Sequence, residues 1–234
     1  MGLDIDVEDP RAVAAAEAIR KGDTAALGRL LKAHPELATA RFGPPGQGCR
    51  TALHVACDWP GNYPNGPETV ALLVQAGADL NARFIGSHSE TPLHWAASND
   101  DVMMLDALLD HGADIEADGA VIAGGTPLDD AVAFAQWTTA RRLVGRGARV
   151  GLFNAAALGM VDRVRELTTA GNQADLNAAF WAACHGGSRD TAGYLLQLGA
   201  DHSWVAPWDG HTPLEAARRN DFHDLAAWLQ EGAS

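Results

Sequence analysis

Four short segments of this chain repeat one another: Thr51-Ala-Leu-His-Val-Ala, Thr91-Pro-Leu-His-Trp-Ala, Thr126-Pro-Leu-Asp-Asp-Ala and Thr212-Pro-Leu-Glu-Ala-Ala. Self-similarity at a spacing of roughly 20–50 residues marks a chain that folds as a stack of equivalent units, and this restricts the fold more than composition does. Most copies run into a Gly-Ala ending, seen at Gly77-Ala78-Asp79, Gly112-Ala113-Asp114, Gly147-Ala148 and Gly199-Ala200-Asp201. Thr91 and Gly112 are 21 positions apart, as are Thr126 and Gly147. The pattern has a physical reason. Thr caps a helix whose first turn tolerates Pro. The Leu and Ala that follow face the neighbouring unit, Ala being small enough for close helix contact. A second helix carries a longer apolar set such as Leu105, Leu108 and Leu109. The closing Gly supplies the left-handed stop.

Both ends of this unit resemble the ankyrin repeat, with its T-P-L-H-x-A opening and G-A-D closing. The resemblance implies an all-α fold, an ankyrin-repeat solenoid of about seven helix-turn-helix repeats with short β-hairpin fingers. Two weaker copies fill the middle: Asn154-Ala-Ala-Ala-Leu-Gly-Met-Val-Asp-Arg-Val-Arg-Glu-Leu, ending at Gly171, and Ala178-Ala-Phe-Trp-Ala-Ala-Cys-His, ending at Gly199. Both lack Thr-Pro, and starts near 126, 150 and 178 give steps shorter than the usual ~33 residues. The missing residues are those of the finger, so the central repeats are degenerate. Ala14 to Leu31 reads as a first copy, two helices about Lys21-Gly22-Asp23. The expected organisation is one ankyrin-repeat domain, 1–234, with repeats at 11–49, 50–89, 90–124, 125–148, 149–176, 177–210 and 211–234.

Other departures lengthen the unit. Thr51 and Thr91 are 40 apart, and about five extra residues fall within Trp59-Pro-Gly-Asn-Tyr-Pro-Asn-Gly-Pro67, a loop by its Pro, Gly and Asn content. Ala123-Gly124-Gly125 belongs to a lengthened finger. Loops on a rigid stack are where specificity concentrates.

Composition bounds the partners. Net charge is −13, from 17 Lys+Arg against 30 Asp+Glu, and the only lysines are Lys21 and Lys32. Nucleic acid and anionic membranes, which need a surplus of cations, are therefore not expected as partners. A protein or peptide with a basic patch is. Cys49, Cys57 and Cys184 form no CxxC pair, so neither a zinc site nor a disulfide framework is expected, and free thiols suit a reducing compartment. Met1 to Asp9 is acidic and has no apolar core for a signal peptide. No apolar run approaches the ~18 residues of a membrane span. The expectation is a cytoplasmic monomer without cofactor or metal.

The resemblance also implies docking on the concave side, built from finger tips and the exposed face of each first helix. Carried onto this chain, it picks out Arg50, Asp58, Trp59, His88, Glu90, Asn99, Phe134, His185, Trp208, His211 and Arg219. Trp95, Asp130 and Asn154 occupy one inner-helix position in successive repeats and are expected to neighbour one another. Trp137, Trp181 and Trp228 read as packing residues. His54 and His94 hold the motif His position and read as structural, and Asp129 replaces that His in the next repeat. Asp130 stands where the motif has an apolar residue, a choice that needs water, a cation or a ligand beside it. His88, His185 and His211 lack metal-ligand spacing. Cys57 and Cys184 read as small apolar filler. Gly43-Pro-Pro-Gly-Gln-Gly48 lacks the strand and the Gly-Lys-Ser/Thr ending of a phosphate cradle. The function expected is protein–protein interaction through the concave face. The alternative is a small-molecule site or enzyme with a pocket around Asp130 and Trp95, Asp130 and His185 acting as acid or base.

Overall fold

The structure, a computed structural model, describes residues 3–44, 48–122, 124–168 and 173–231. The centre of the Gly43–Gly48 loop, Ala123 of the lengthened finger and the Gly171 helix stop lie outside the described residues. The chain divides into two compact units, Met1–Ala148 and Arg149–Ser234.

The first unit holds four helix pairs. They are α1 (Pro10–Lys21) with α2 (Thr24–Ala33), α3 (Ala52–Ala56) with α4 (Gly66–Gln75), α5 (Pro92–Ser98) with α6 (Val102–Asp110), and α7 (Pro127–Ala133) with α8 (Trp137–Gly145). Thr51, Thr91 and Thr126 each stand immediately before a first helix in extended backbone, where a capping residue belongs. Leu53, Leu93 and Leu128 are buried beside Ala56, Ala96 and Ala131, while Leu73, Leu105, Leu108 and Leu143 close the core from the second helices. Two short strands, β1 (Asp4–Ile5) and β2 (Arg41–Phe42), pair in parallel near the start of the unit.

Where hairpin fingers were expected, the links are hydrogen-bonded turns with little ladder. Phe84 N–H bonds Glu90 O at 2.8 Å and Ala120 N–H bonds Gly125 O at 3.0 Å. Strand pairing among these links is limited, in the described residues, to isolated bridges at Phe42–Arg50 and Cys49–Ile85.

The second unit holds α9 (Leu152–Ala157) with α10 (Val161–Leu167), α11 (Gln173–His185) with α12 (Arg189–Gln197), and α13 (Pro213–Arg219) with α14 (His223–Gln230). Its core runs through Ala155, Ala156, Phe180, Ala182, Ala183, Leu195, Ala216 and Ala217. The end of α11 approaches α9 so closely that a Cβ on Gly186 would fall 1.8 Å from Ala157 O.

One boundary differs from the sequence reading. α11 starts at Gln173 rather than at 177, because residues that elsewhere would enter a finger are helical here. Gln173 Nε2 bonds Gly199 O at 2.7 Å and Asp201 N–H bonds Asn177 Oδ1 at 2.8 Å. Side chains on the extra helical turn thus satisfy the backbone of the following link, a task that backbone pairing would otherwise perform.

Candidate functional site: an aromatic and acidic surface

In the first unit the motif histidines bind the fold together. Thr51 N–H and Thr51 Oγ1 reach His54 Nδ1 at 3.2 and 2.9 Å, and His54 Nε2 contacts Glu90 O at 3.1 Å. His94 repeats this with Thr91, at 3.1 and 2.9 Å, and with Gly125 O at 3.3 Å. A ring that accepts at Nδ1 and donates at Nε2 is neutral, and burial lowers both pKa values, that of His54 to about 4. Asp129 takes over the local half of this role, accepting from Thr126 N–H at 2.7 Å and Thr126 Oγ1 at 2.9 Å. The same capping box recurs at Glu215 with Thr212, at 2.7 and 2.8 Å.

Because His54 and His94 fix each first helix to the link beyond it, the intervening side chains are held in place. Trp95 lies edge-on to the His54 ring at 5.0 Å and packs near Phe84 at 5.6 Å; Phe84 stacks on His88 at 4.5 Å. His88 Nδ1 sits 3.0 Å from Glu90 Oε2, and Val121 N–H donates to Glu90 Oε1 at 3.2 Å. Trp59 is presented by the long α3–α4 loop, which is tied on both sides. Asn65 Nδ2 bonds Gly22 O at 2.9 Å, Asn62 N–H bonds Asp101 Oδ2 at 2.6 Å, and Asn99 Nδ2 bonds Cys57 O at 2.8 Å. Asp58, beside Trp59, is already paired with Arg50 at 2.6 Å and with Arg20 at 3.7 Å.

These groups line an open cavity of about 190 Å³ whose walls include Trp59, His88, Glu90, Trp95 and Phe134, together with Asp58 and Asn99. The sequence reading had placed all seven on the binding face. Trp59 is 79% exposed and Phe134 45%, while Glu90 is 5% exposed. A carboxylate thus lines a cavity walled by aromatic rings.

Asp130 lies behind this surface. It is 0% exposed, and neither carboxylate oxygen has a hydrogen bond of good geometry. Burial, first, and then the neighbouring Glu90 carboxyl push its pKa well above the usual carboxylate range, with Asp129 adding to the effect. The native state therefore keeps a proton that the unfolded chain releases near pH 4, so the stability this group contributes is greatest in acid and is lost as pH rises. Asp130→Asn is expected to raise stability at neutral pH by about 1–3 kcal/mol, because the amide carries no charge and can donate to Glu90. Urea melts compared at pH 5 and pH 8 check this: the gain should be larger at pH 8, and no gain there would refute it.

The second unit carries a separate aromatic cluster. Trp181 stacks with His185 at 4.9 Å and lies edge-on to Trp208 at 5.2 Å. Trp204 meets Trp208 at 5.4 Å, and Phe153 lies 6.2 Å from Trp181. Arg219 lies over the Trp181 ring at 5.8 Å and pairs with Asp209 at 3.0 Å. Trp181 Nε1–H donates to His211 O at 3.2 Å, and Asn220 Nδ2 contacts both His185 Nδ1, at 2.7 Å, and His185 O, at 2.8 Å. So His185, Trp208, His211 and Arg219 come together around Trp181. Asn154 is buried on α9 of this unit.

Phe153, Trp181 and Trp204 were not expected in the cluster. Trp181 holds the same offset in its repeat as Trp95 in its own, a signal obscured by the missing Thr-Pro. All three thiols are buried, and burial raises the pKa values of Cys57 and Cys184, which leaves both unreactive. Among the described residues no group of three or more His, Cys, Asp or Glu is placed to hold a metal ion, and no helix is long and apolar enough to cross a membrane.

The consecutive helix pairs, the Thr-capped first helices and the histidine ties between successive units define a helical repeat protein. Residues 65–154 match the family model described as Ankyrin repeats (3 copies). Over those residues the chain carries ankyrin repeats. Ankyrin repeats generally mediate protein–protein interactions.

Proposed function

We propose that this protein is an interaction module that holds a partner protein or peptide against the face formed by its first helices and turn tips. In this reading all seven helix pairs are repeats of one array, 1–234, acting as a cytoplasmic monomer. The observation that carries it is the cavity of about 190 Å³ between Trp59, Trp95 and Phe134. Drug-sized ligands are held in pockets of about 300–1,000 Å³, so this space suits one inserted side chain of a larger partner better than a metabolite. Trp is a frequent energetic anchor of interfaces, and Trp59 and Trp208 are both exposed on these surfaces. The net charge of −13 favours a basic partner.

A reading with Asp130 as a catalytic acid or base finds less support. Asp130 is wholly buried behind the cavity wall, and His185 is a buried member of the second unit's cluster, engaged with Asn220.

The test begins with capture of partners from native extract, with retained proteins and small molecules both identified. A retained protein, purified, is then titrated against wild type, Trp59→Ala and Trp208→Ala by calorimetry. Loss of an anchoring Trp should weaken binding at least about tenfold, about 1.4 kcal/mol. Retention of a metabolite alone, or unchanged affinity in both variants, would overturn the proposal.

A further inference from the structure

Resting on the interaction reading, we infer that the cavity between Trp59, Trp95 and Phe134 receives a single guanidinium, the head of an arginine presented by the partner, against the Glu90 carboxylate. Three features of the cavity carry this. Its walls supply ring faces, and cations are drawn to the faces of Trp and Phe, with guanidinium favoured because it is planar and stacks. Its buried acceptor is a carboxylate. Glu90 is 5% exposed and engages His88 through Oε2 and the Val121 amide through Oε1. A carboxylate has about four lone-pair sites, so acceptor capacity remains on both oxygens for the two parallel N–H donors of an arginine fork.

The third feature is charge balance. Asp58 is already satisfied by Arg50 and Arg20. The buried pair Glu90 and Asp130 faces no Lys or Arg in any ion pair found among the described residues, and Glu90 lies 3.0 Å from the His88 imidazole. Burial and the neighbouring Glu90 push Asp130 toward its protonated form, so Glu90 is the carboxylate left for a cation to meet. An inserted guanidinium supplies that cation beside Glu90, which lines the cavity, and it is charged at every physiological pH. Lysine is the weaker fit, because its ammonium is a strongly hydrated point charge that loses more solvation on entering the cavity and cannot bond in parallel.

Trp fluorescence of the full chain, titrated with N-acetyl-arginine amide, tests this. Saturable binding is expected, at least tenfold weaker for N-acetyl-citrulline amide, which keeps the shape without the charge, and weaker for N-acetyl-lysine amide. Glu90→Gln should lower arginine amide affinity at least tenfold. Trp59→Ala, at an exposed position that leaves the fold intact, should lower it severalfold, and Trp208→Ala should leave it unchanged. Equal binding of citrulline and arginine amides, no saturable arginine binding, or no effect of Trp59→Ala would overturn the inference. The partner isolated above separates the two readings. If it loses affinity with Trp59→Ala but not with Glu90→Gln, the interaction reading stands and the guanidinium pocket falls. If it ignores both Trp59→Ala and Trp208→Ala, the interaction reading itself falls.

Discussion

Leu105→Ala is expected to destabilise the first unit by about 2–5 kcal/mol. Leu105 sits on α6 with no exposed surface, in the same core layer as Leu73 and Leu108. Removing its branched end leaves a hole bounded by neighbours already anchored by capping boxes and by the His54 and His94 ties, so little collapse is available to fill it. In a repeat stack each pair rests on its neighbours, and a hole in a middle pair weakens the interfaces on both sides. Urea denaturation checks this, and a loss within about 0.5 kcal/mol, the range of surface substitutions, would mean that α6 does not pack in this register.

The second large effect is acid sensitivity centred on His54. Its pKa is lowered from 6.5 to about 4, chiefly by burial. The native ring stays neutral where the unfolded ring takes up a proton. Between pH 6.5 and about 4 the unfolded state therefore binds more protons, and stability is lost as pH falls through that window. The full contribution is about 3 kcal/mol. His94, lowered by the same cause, acts in the same direction. Asp130 acts oppositely, so the effect is cleanest in the Asp130→Asn protein, where denaturation midpoints should fall steeply over this window. Midpoints flat across it would show that the ring is not held neutral.

Much of the fold could be read in advance from Thr-Pro-Leu-His and Gly-Ala, because those residues cap, pack and stop helices by local chemistry. The same locality explains Asp129, whose carboxylate serves the Thr126 cap as an imidazole would. The early start of α11 was not readable. It depends on Gln173 and Asn177 finding backbone groups at Gly199 and Asp201, partners distant in sequence. The site divides similarly. Trp59, His88, Glu90, Trp95 and Phe134 could be grouped in advance, and they line one cavity, because intact motifs fix their offsets. The cluster around Trp181 was only partly found, since without Thr-Pro nothing marks the start of its repeat. The depth of Asp130 was misjudged for a related reason: the offset places its backbone on the inner helix, while the burial of its side chain depends on what packs over it.

The α3–α4 loop has a mechanical consequence. It hangs from Gly22 through Asn65 and from Asp101 through Asn62, so Trp59 is suspended between the first and third helix pairs and not carried by its own pair alone. Gly22 lies at the turn between α1 and α2, so local opening of that pair slackens one of the two moorings of the cavity wall. An occupant resting against Trp59 pulls on the same mooring from the other end, which makes order at the start of the chain a local gauge of whether the cavity is filled.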